Sequence, residues 1–209
     1  MNSLDCSILI HTFNVYQTFW DGSIKYFREH WSIKMPMLFG TNTPNHHHRD
    51  FRPFRVIYSG PGEWSDRLIS LLKQVETEYV WYFQEDHWLT DSPPDYAILS
   101  ELVNKNGLFR LQISPILKFY TLYGDHPPFF FNETPKSKYL CCHQPSIWNK
   151  DFLLSCLQPN ETPWENEYKA TCRLWARTNE IRGKIAILPY EWYDHVGIKG
   201  RLVLPKVKA

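Results

Sequence analysis

Glu78-Tyr79-Val80-Trp81-Tyr82-Phe83-Gln84-Glu85-Asp86-His87-Trp88-Leu89 is the stretch on which the fold turns. Tyr79 to Phe83 are all apolar or aromatic, with no alternation of polar and apolar positions. That is the pattern of a strand covered on both faces, as in a parallel sheet with helices on either side. The run leads straight into Glu85-Asp86-His87. In open parallel sheets ligands bind beyond the carboxyl ends of the strands, which is where this acidic pair falls.

Working outward, the same logic recurs. Cys6 to Phe13 is another continuous apolar run, followed by Trp20, Ile24, Phe27 and Trp31 at helical spacing. Residues 35–40 and 54–59 read as strands, and 64–75 as a helix with Trp64, Leu68, Leu71, Leu72 and Val75 on one face. A helix is predicted over 93–104 and a strand over 108–114. Strand and helix alternate as βαβ units require, so the fold class is α/β with a mostly parallel sheet. The second half is irregular. It has a Pro- and Phe-rich loop over 124–135, helices over 148–157 and 163–176, and a last strand over 184–188. One domain over 1–209 is expected, with about 1–115 forming a ligand-binding half and 116–209 closing over the sheet edge.

The chain has 209 residues, with 23 basic against 22 acidic side chains and a net charge of +1. That balance leaves no basic face for nucleic acid. No apolar run approaches the ~20 residues of a membrane span, and the first residues lack a secretory pattern. Five cysteines, two of them adjacent, read as reduced thiols, so a cytoplasmic protein is expected. The aromatic content of 16% is high. Trp20, Phe27, Trp31, Trp64, Trp164 and Trp175 fall on predicted helix faces and are assigned to the core. Trp88, Phe129-Phe130-Phe131, Trp192 and Tyr193 are expected to flank a cleft at strand exits and in the irregular half.

Two adjacent carboxylates at a strand exit can hold a hard divalent cation, and His87 adds an imidazole that Mn²⁺ accepts more readily than Mg²⁺. By itself the tripeptide also reads as a plain polar strand end. Thr162-Pro163-Trp164-Glu165 is a capping-box sequence, which gives Glu165 a structural task. Glu167 lies two positions on, about 200° around a helix, at the border of a buried face expected to carry Trp164, Tyr168, Thr171 and Trp175. His46-His47-His48 reads as a solvated loop, since three consecutive histidines cannot share one face. Ser65 and Asp66 suit a helix N-terminus, and Arg67 can pair with Asp66 or reach a ligand.

Trp64-Ser65-Asp66-Arg67-Leu68, the Glu78 to Leu89 block, His143-Gln144-Pro145-Ser146-Ile147-Trp148-Asn149-Lys150, and Pro163-Trp164-Glu165-Asn166-Glu167 occur in that order. Together they resemble small GT-A-fold glycosyltransferases, in particular bacterial and algal-virus (chlorella-virus-type) domains, over roughly residues 8–168. The resemblance implies transfer of a sugar from a nucleotide-sugar donor, UDP-linked in the first instance, to a glycan hydroxyl. A divalent cation, Mn²⁺ or Mg²⁺, would sit on a DXD-type motif. Here Gln84-Glu85-Asp86 occupies the three motif positions, so Asp86 becomes the direct ligand and Glu85 acts on a metal-bound water or the ribose. His195 is a further metal ligand by the same likeness. Thr12, Phe13, Asp66 and Arg67 are implied on the nucleotide, and Lys199 and Arg201 beside the diphosphate. Trp88, Gln144 and Trp148 are implied on the acceptor side. An inverting enzyme needs a carboxylate to take the acceptor's proton; Glu167 is assigned that role, with Glu165 second. Two other readings stand beside this one: a sugar nucleotidyltransferase of the same fold, or a non-catalytic carbohydrate-binding module. The absence of glycine in His11-Thr12-Phe13-Asn14-Val15 counts against the former.

Overall fold

The computed structural model describes residues 3–44, 49–115, 122–131, 139–198 and 201–203. Its first half alternates β1 (Cys6–His11), α1 (Gln17–His30), β2 (Met37–Thr41), β3 (Arg55–Tyr58), α2 (Trp64–Leu72), β4 (Tyr79–Gln84), β5 (His87–Leu89), α3 (Tyr96–Asn106) and β6 (Arg110–Ile113). There follow β7 (Leu122–Tyr123), β8 (Phe129–Phe131), β9 (Ser146–Asn149), α4 (Lys150–Cys156), α5 (Pro163–Trp175), α6 (Thr178–Ile181) and β10 (Ile185–Leu188). The last elements are β11 (Tyr193–His195), β12 (Gly197–Ile198) and β13 (Arg201–Leu202).

Nine strands form one sheet in the order β3-β2-β1-β4-β9-β6-β10-β8-β7. β3, β2, β1 and β4 pair in parallel, as do β6 and β10. β9 runs antiparallel between β4 and β6, so all six of those strands share one direction. The mostly parallel α/β sheet expected from the sequence is present. Its strands are apolar on both faces because both are covered. Ile8, Ile10, Trp81 and Phe83 pack with Trp20 and Phe27 of α1 and Leu99 of α3. Leu9, Val80 and Tyr82 pack on the other face with Leu68 of α2, Leu153 of α4 and Ala170 of α5. Among the described residues no helix is long and apolar enough to cross a membrane.

Several local expectations are corrected. Residues 146–149 are a strand, and the helix starts only at Lys150, where the Asn149 side chain accepts the Phe152 amide and caps it. Trp148 therefore sits in the middle of the sheet, fully buried, with no face for an acceptor. Phe129 to Phe131 form β8 against β10, and Trp192 and Tyr193 are core residues, so none of these is a cleft ring. On α5 the buried stripe is Asn166, Ala170, Thr171 and Leu174, whereas Trp164 is 76% exposed.

Trp88 is also buried, against Phe19, Tyr26 and Val196. Its indole Nε1 donates to the carbonyls of Phe19 and Glu85, so it ties α1 to the turn after β4 and has no acceptor surface. The ring lies over Gly22, where a Cβ would overlap it. Gly22→Ala is expected to cost about 1–3 kcal/mol by overpacking. A urea titration reads this as a lowered midpoint with unchanged slope.

Candidate functional site

A cavity of about 760 Å³ opens where β1 and β4 end, within the range of small-molecule sites. β1 delivers His11, Thr12 and Phe13, and β4 delivers Gln84, Glu85, Asp86 and His87. Trp64 and Arg67 come from α2, and Trp164 and Glu167 from α5. The two helix starts are held together by Ser65, whose amide donates to the Glu161 carbonyl and whose hydroxyl accepts the Glu161 amide. His143, Gln144, His195 and Gly197 complete the wall.

The acidic turn is built by strand pairing. β5 and β11 run antiparallel with His195 opposite His87, and the Val196 amide donates to the Asp86 carbonyl. Sequence positions far apart thus meet: His195 Nε2 lies 2.7 Å from Asp86 Oδ2. Gly197 is required here, since a Cβ would overlap the Asp86 carboxylate. Burial pushes Asp86 up, but the His195 hydrogen bond and the neighbouring imidazoles outweigh it and hold the carboxyl below its ordinary range. That hydrogen bond in turn raises His195. Glu85 is pushed up by burial and by the Asp86 charge beside it. Burial lowers His87 to about 3, so this imidazole is neutral.

Asp86, His87 and His195 can each offer a ligand atom within 4.8 Å of the others, and Asp86 Oδ1 is buried without a hydrogen-bond partner. The spare Asp86 oxygen fits a divalent cation, and His195 can join it as a second ligand once it gives up the proton it shares with Asp86, a donor set that suits Mn²⁺ ahead of Mg²⁺. His87 fits less well, because its Nδ1 already accepts the Gln84 amide at 3.1 Å. Glu85 lines the cavity but does not belong to this cluster.

The two glutamates of α5 part company. Glu165 Oε2 accepts the Thr162 amide at 3.0 Å, closing the capping box, and its other oxygen pairs with Lys169. It is exposed and outside the cavity, so the structure removes it as second choice for the base. Glu167 lines the cavity, and its Oε1 accepts the His143 amide at 2.8 Å. Burial raises its carboxyl despite that hydrogen bond.

On the opposite wall the Arg67 guanidinium stacks 4.0 Å from the Phe13 ring centre while donating to the Gly62 carbonyl. The Thr12 hydroxyl is spent on the Gly40 carbonyl at 2.9 Å. Asp66 does not line the cavity. Its carboxylate accepts the amides of Glu63 and Asn160, the duties of a helix cap, so a nucleotide contact is corrected to a structural one. Gln144 does line the cavity, fixed by a hydrogen bond from the Tyr193 hydroxyl. Arg201 is exposed and does not line the cavity, while Lys199 and His46 to His48 lie outside the described residues.

His11 and His143 were not anticipated. Both are buried cavity residues with a ring nitrogen lacking a partner, and Arg67 Nε is likewise unpaired. Burial keeps both imidazoles neutral, with His143 lowered to about 3. The only signal in the sequence was a histidine placed at the end of each of two apolar or motif-bearing runs.

No family model and no curated protein matches the sequence. Solved structures do match in fold. Residues 1–349 of S. aureus TarS in complex with UDP-GlcNAc superimpose with a TM-score of 0.61 at 13% identity, over 91% of this chain and 58% of that one. The same segment with UDP gives 0.60 at 14% identity, over 91% and 60%. A further S. aureus TarS structure gives 0.63 at 11% identity, over 91% and 36%. The chain thus spans less than two thirds of each. At these identities the likeness shows the fold, the GT-A-like α/β architecture.

Proposed function

We propose that this chain is a glycosyltransferase that moves a sugar from a nucleotide-sugar donor, a UDP-sugar in the first instance, to a hydroxyl of a glycan. The observation that carries the reading is that Glu167 and the Asp86 turn line one cavity at the carboxyl ends of β1 and β4. The fold likeness to TarS, crystallised with UDP-GlcNAc and with UDP, supports the same donor class. The finer kinship with bacterial and algal-virus domains rests on the ordered sequence blocks. Residues 1–115 would hold the donor and 116–209 the acceptor.

In this reading Phe13 and Arg67 receive the nucleoside, and Asp86 with His195 would hold Mn²⁺ or Mg²⁺. A cation there would offset the diphosphate's charge and the charge that develops as it departs. Charge balance supports it. The cavity presents the carboxyls of Glu85, Asp86 and Glu167 against the Arg67 guanidinium, with His195 neutral when it serves as a ligand, a poor host for a naked diphosphate. Glu167 takes the proton from the acceptor hydroxyl, whose oxygen bonds to the anomeric carbon as the bond to the diphosphate oxygen breaks. Such a direct displacement inverts the configuration.

A thermal-shift panel of nucleoside diphosphates with and without Mn²⁺ tests the donor site. Ligand at about 100 times its Kd adds about 2.7 kcal/mol, roughly 5–10 °C for a chain of this size. UDP with Mn²⁺ is expected to give such a shift, and UDP with chelator a much smaller one. A panel in which no nucleotide stabilises the chain would overturn the reading.

A further inference from the structure

Among the described residues most of the large rings are buried or half-buried, yet α5 carries two that are not: Trp164 is 76% exposed and Tyr168 69%. An exposed indole is the informative kind of exception, since apolar rings otherwise go inside. Four positions apart on a helix, the two side chains lie on one face, one turn from each other. Their placement is not neutral with respect to the cavity. Trp164 lines it, at the start of the helix, three positions before Glu167, which lines it too. The core does not need either ring, because the buried stripe of α5 is Asn166, Ala170, Thr171 and Leu174.

We infer that Trp164, continued by Tyr168, is the acceptor platform: a surface on which a pyranose ring of the acceptor glycan stacks while its hydroxyl reaches Glu167. This rests on the glycosyltransferase reading and names the subsite that reading leaves open. A sugar has an apolar C–H face for the ring and hydroxyls for the carboxylate beside it, the chemistry that an exposed aromatic on the same cavity wall as Glu167 presents. The alternating pair of rings suits an extended glycan whose reactive end lies at Trp164 and whose preceding unit lies at Tyr168. The site replaces the buried Trp88 and Trp148 as the acceptor wall, with Gln144 lining the same cavity.

The test uses an array of immobilised neutral hexose, deoxyhexose and N-acetylhexosamine oligosaccharides, probed with labelled protein in the presence of UDP and Mn²⁺. Wild type is expected to bind a subset, and Trp164→Ala to bind that subset at least about tenfold more weakly. Trp164→Phe keeps most of the binding, and Tyr168→Ala loses it for longer oligosaccharides more than for disaccharides. The UDP-induced thermal shift of each variant is measured in parallel and is expected to match wild type. The inference is overturned if wild type binds no sugar, if Trp164→Ala binds as well as wild type, or if Trp164→Ala loses its UDP shift in step. It is also overturned if wild type binds phosphatidylcholine vesicles through Trp164 instead. Should UDP fail to stabilise wild type while the array gives the expected pattern, the donor reading fails and the platform stands.

Discussion

Replacing Glu167 by Gln is expected to lower sugar transfer by about 10²–10⁴-fold, the usual worth of a positioned general base, with the UDP-dependent thermal shift retained. Gln keeps an oxygen to accept the His143 amide, so the local geometry survives while the proton acceptor is lost. The pH profile carries the signature. A base works only when deprotonated, so the rate falls as pH drops through its folded-state pKa. Burial raises Glu167 above its reference value of 4.5, which places the acid limb above the ordinary carboxylate range. That limb should vanish in Glu167→Gln. Glu165→Ala should behave differently: it loses a helix cap worth ~1 kcal/mol and leaves transfer nearly intact. A near-normal rate in Glu167→Gln would remove it from the chemistry.

Asp86→Ala is the second large effect. The carboxylate is both the candidate cation ligand with a free buried oxygen and the partner that positions His195. Loss of residues that merely orient a metal ligand costs ~10–100-fold in metal affinity, so loss of a ligand itself should cost at least that. Isothermal titration of Mn²⁺ in the presence of UDP should show binding to wild type and little to the variant. Titration of UDP alone should change far less, because Phe13 and Arg67 are untouched. Equal Mn²⁺ affinity in both proteins would exclude Asp86 as a ligand.

The sheet was largely legible because β1 and β4 are short, mostly apolar runs without polar alternation, rich in β-branched and aromatic residues, the pattern of strands covered on both faces. The capping box at Thr162 is equally plain, and the motif alone separates Glu165 from Glu167. What could not be read depended on long-range pairing. Trp148 and Asn149 read as a helix start, but with Ser146 and Ile147 they are drawn into a strand between β4 and β6. His195 reaches Asp86 because β11 pairs with β5, which no local pattern reveals. The rotation of α5 was misjudged for a specific reason: its buried stripe begins with polar Asn166, which bonds to the Cys156 carbonyl and Glu161, so the aromatics looked like the inner face. Trp88 was misplaced because the glycine that receives it, Gly22, lies on α1, far from β5 in the sequence.

The central claim is that this cavity activates a nucleotide-sugar for transfer. It is tested most directly by following release of free nucleotide from a panel of UDP- and GDP-linked sugars with Mn²⁺ and mixed glycan acceptors. Wild type should consume at least one donor, UDP-linked ahead of GDP-linked, and Asp86→Ala and Glu167→Gln should each suppress that release. Consumption of no donor by wild type, or equal release by both variants and wild type, would contradict the account.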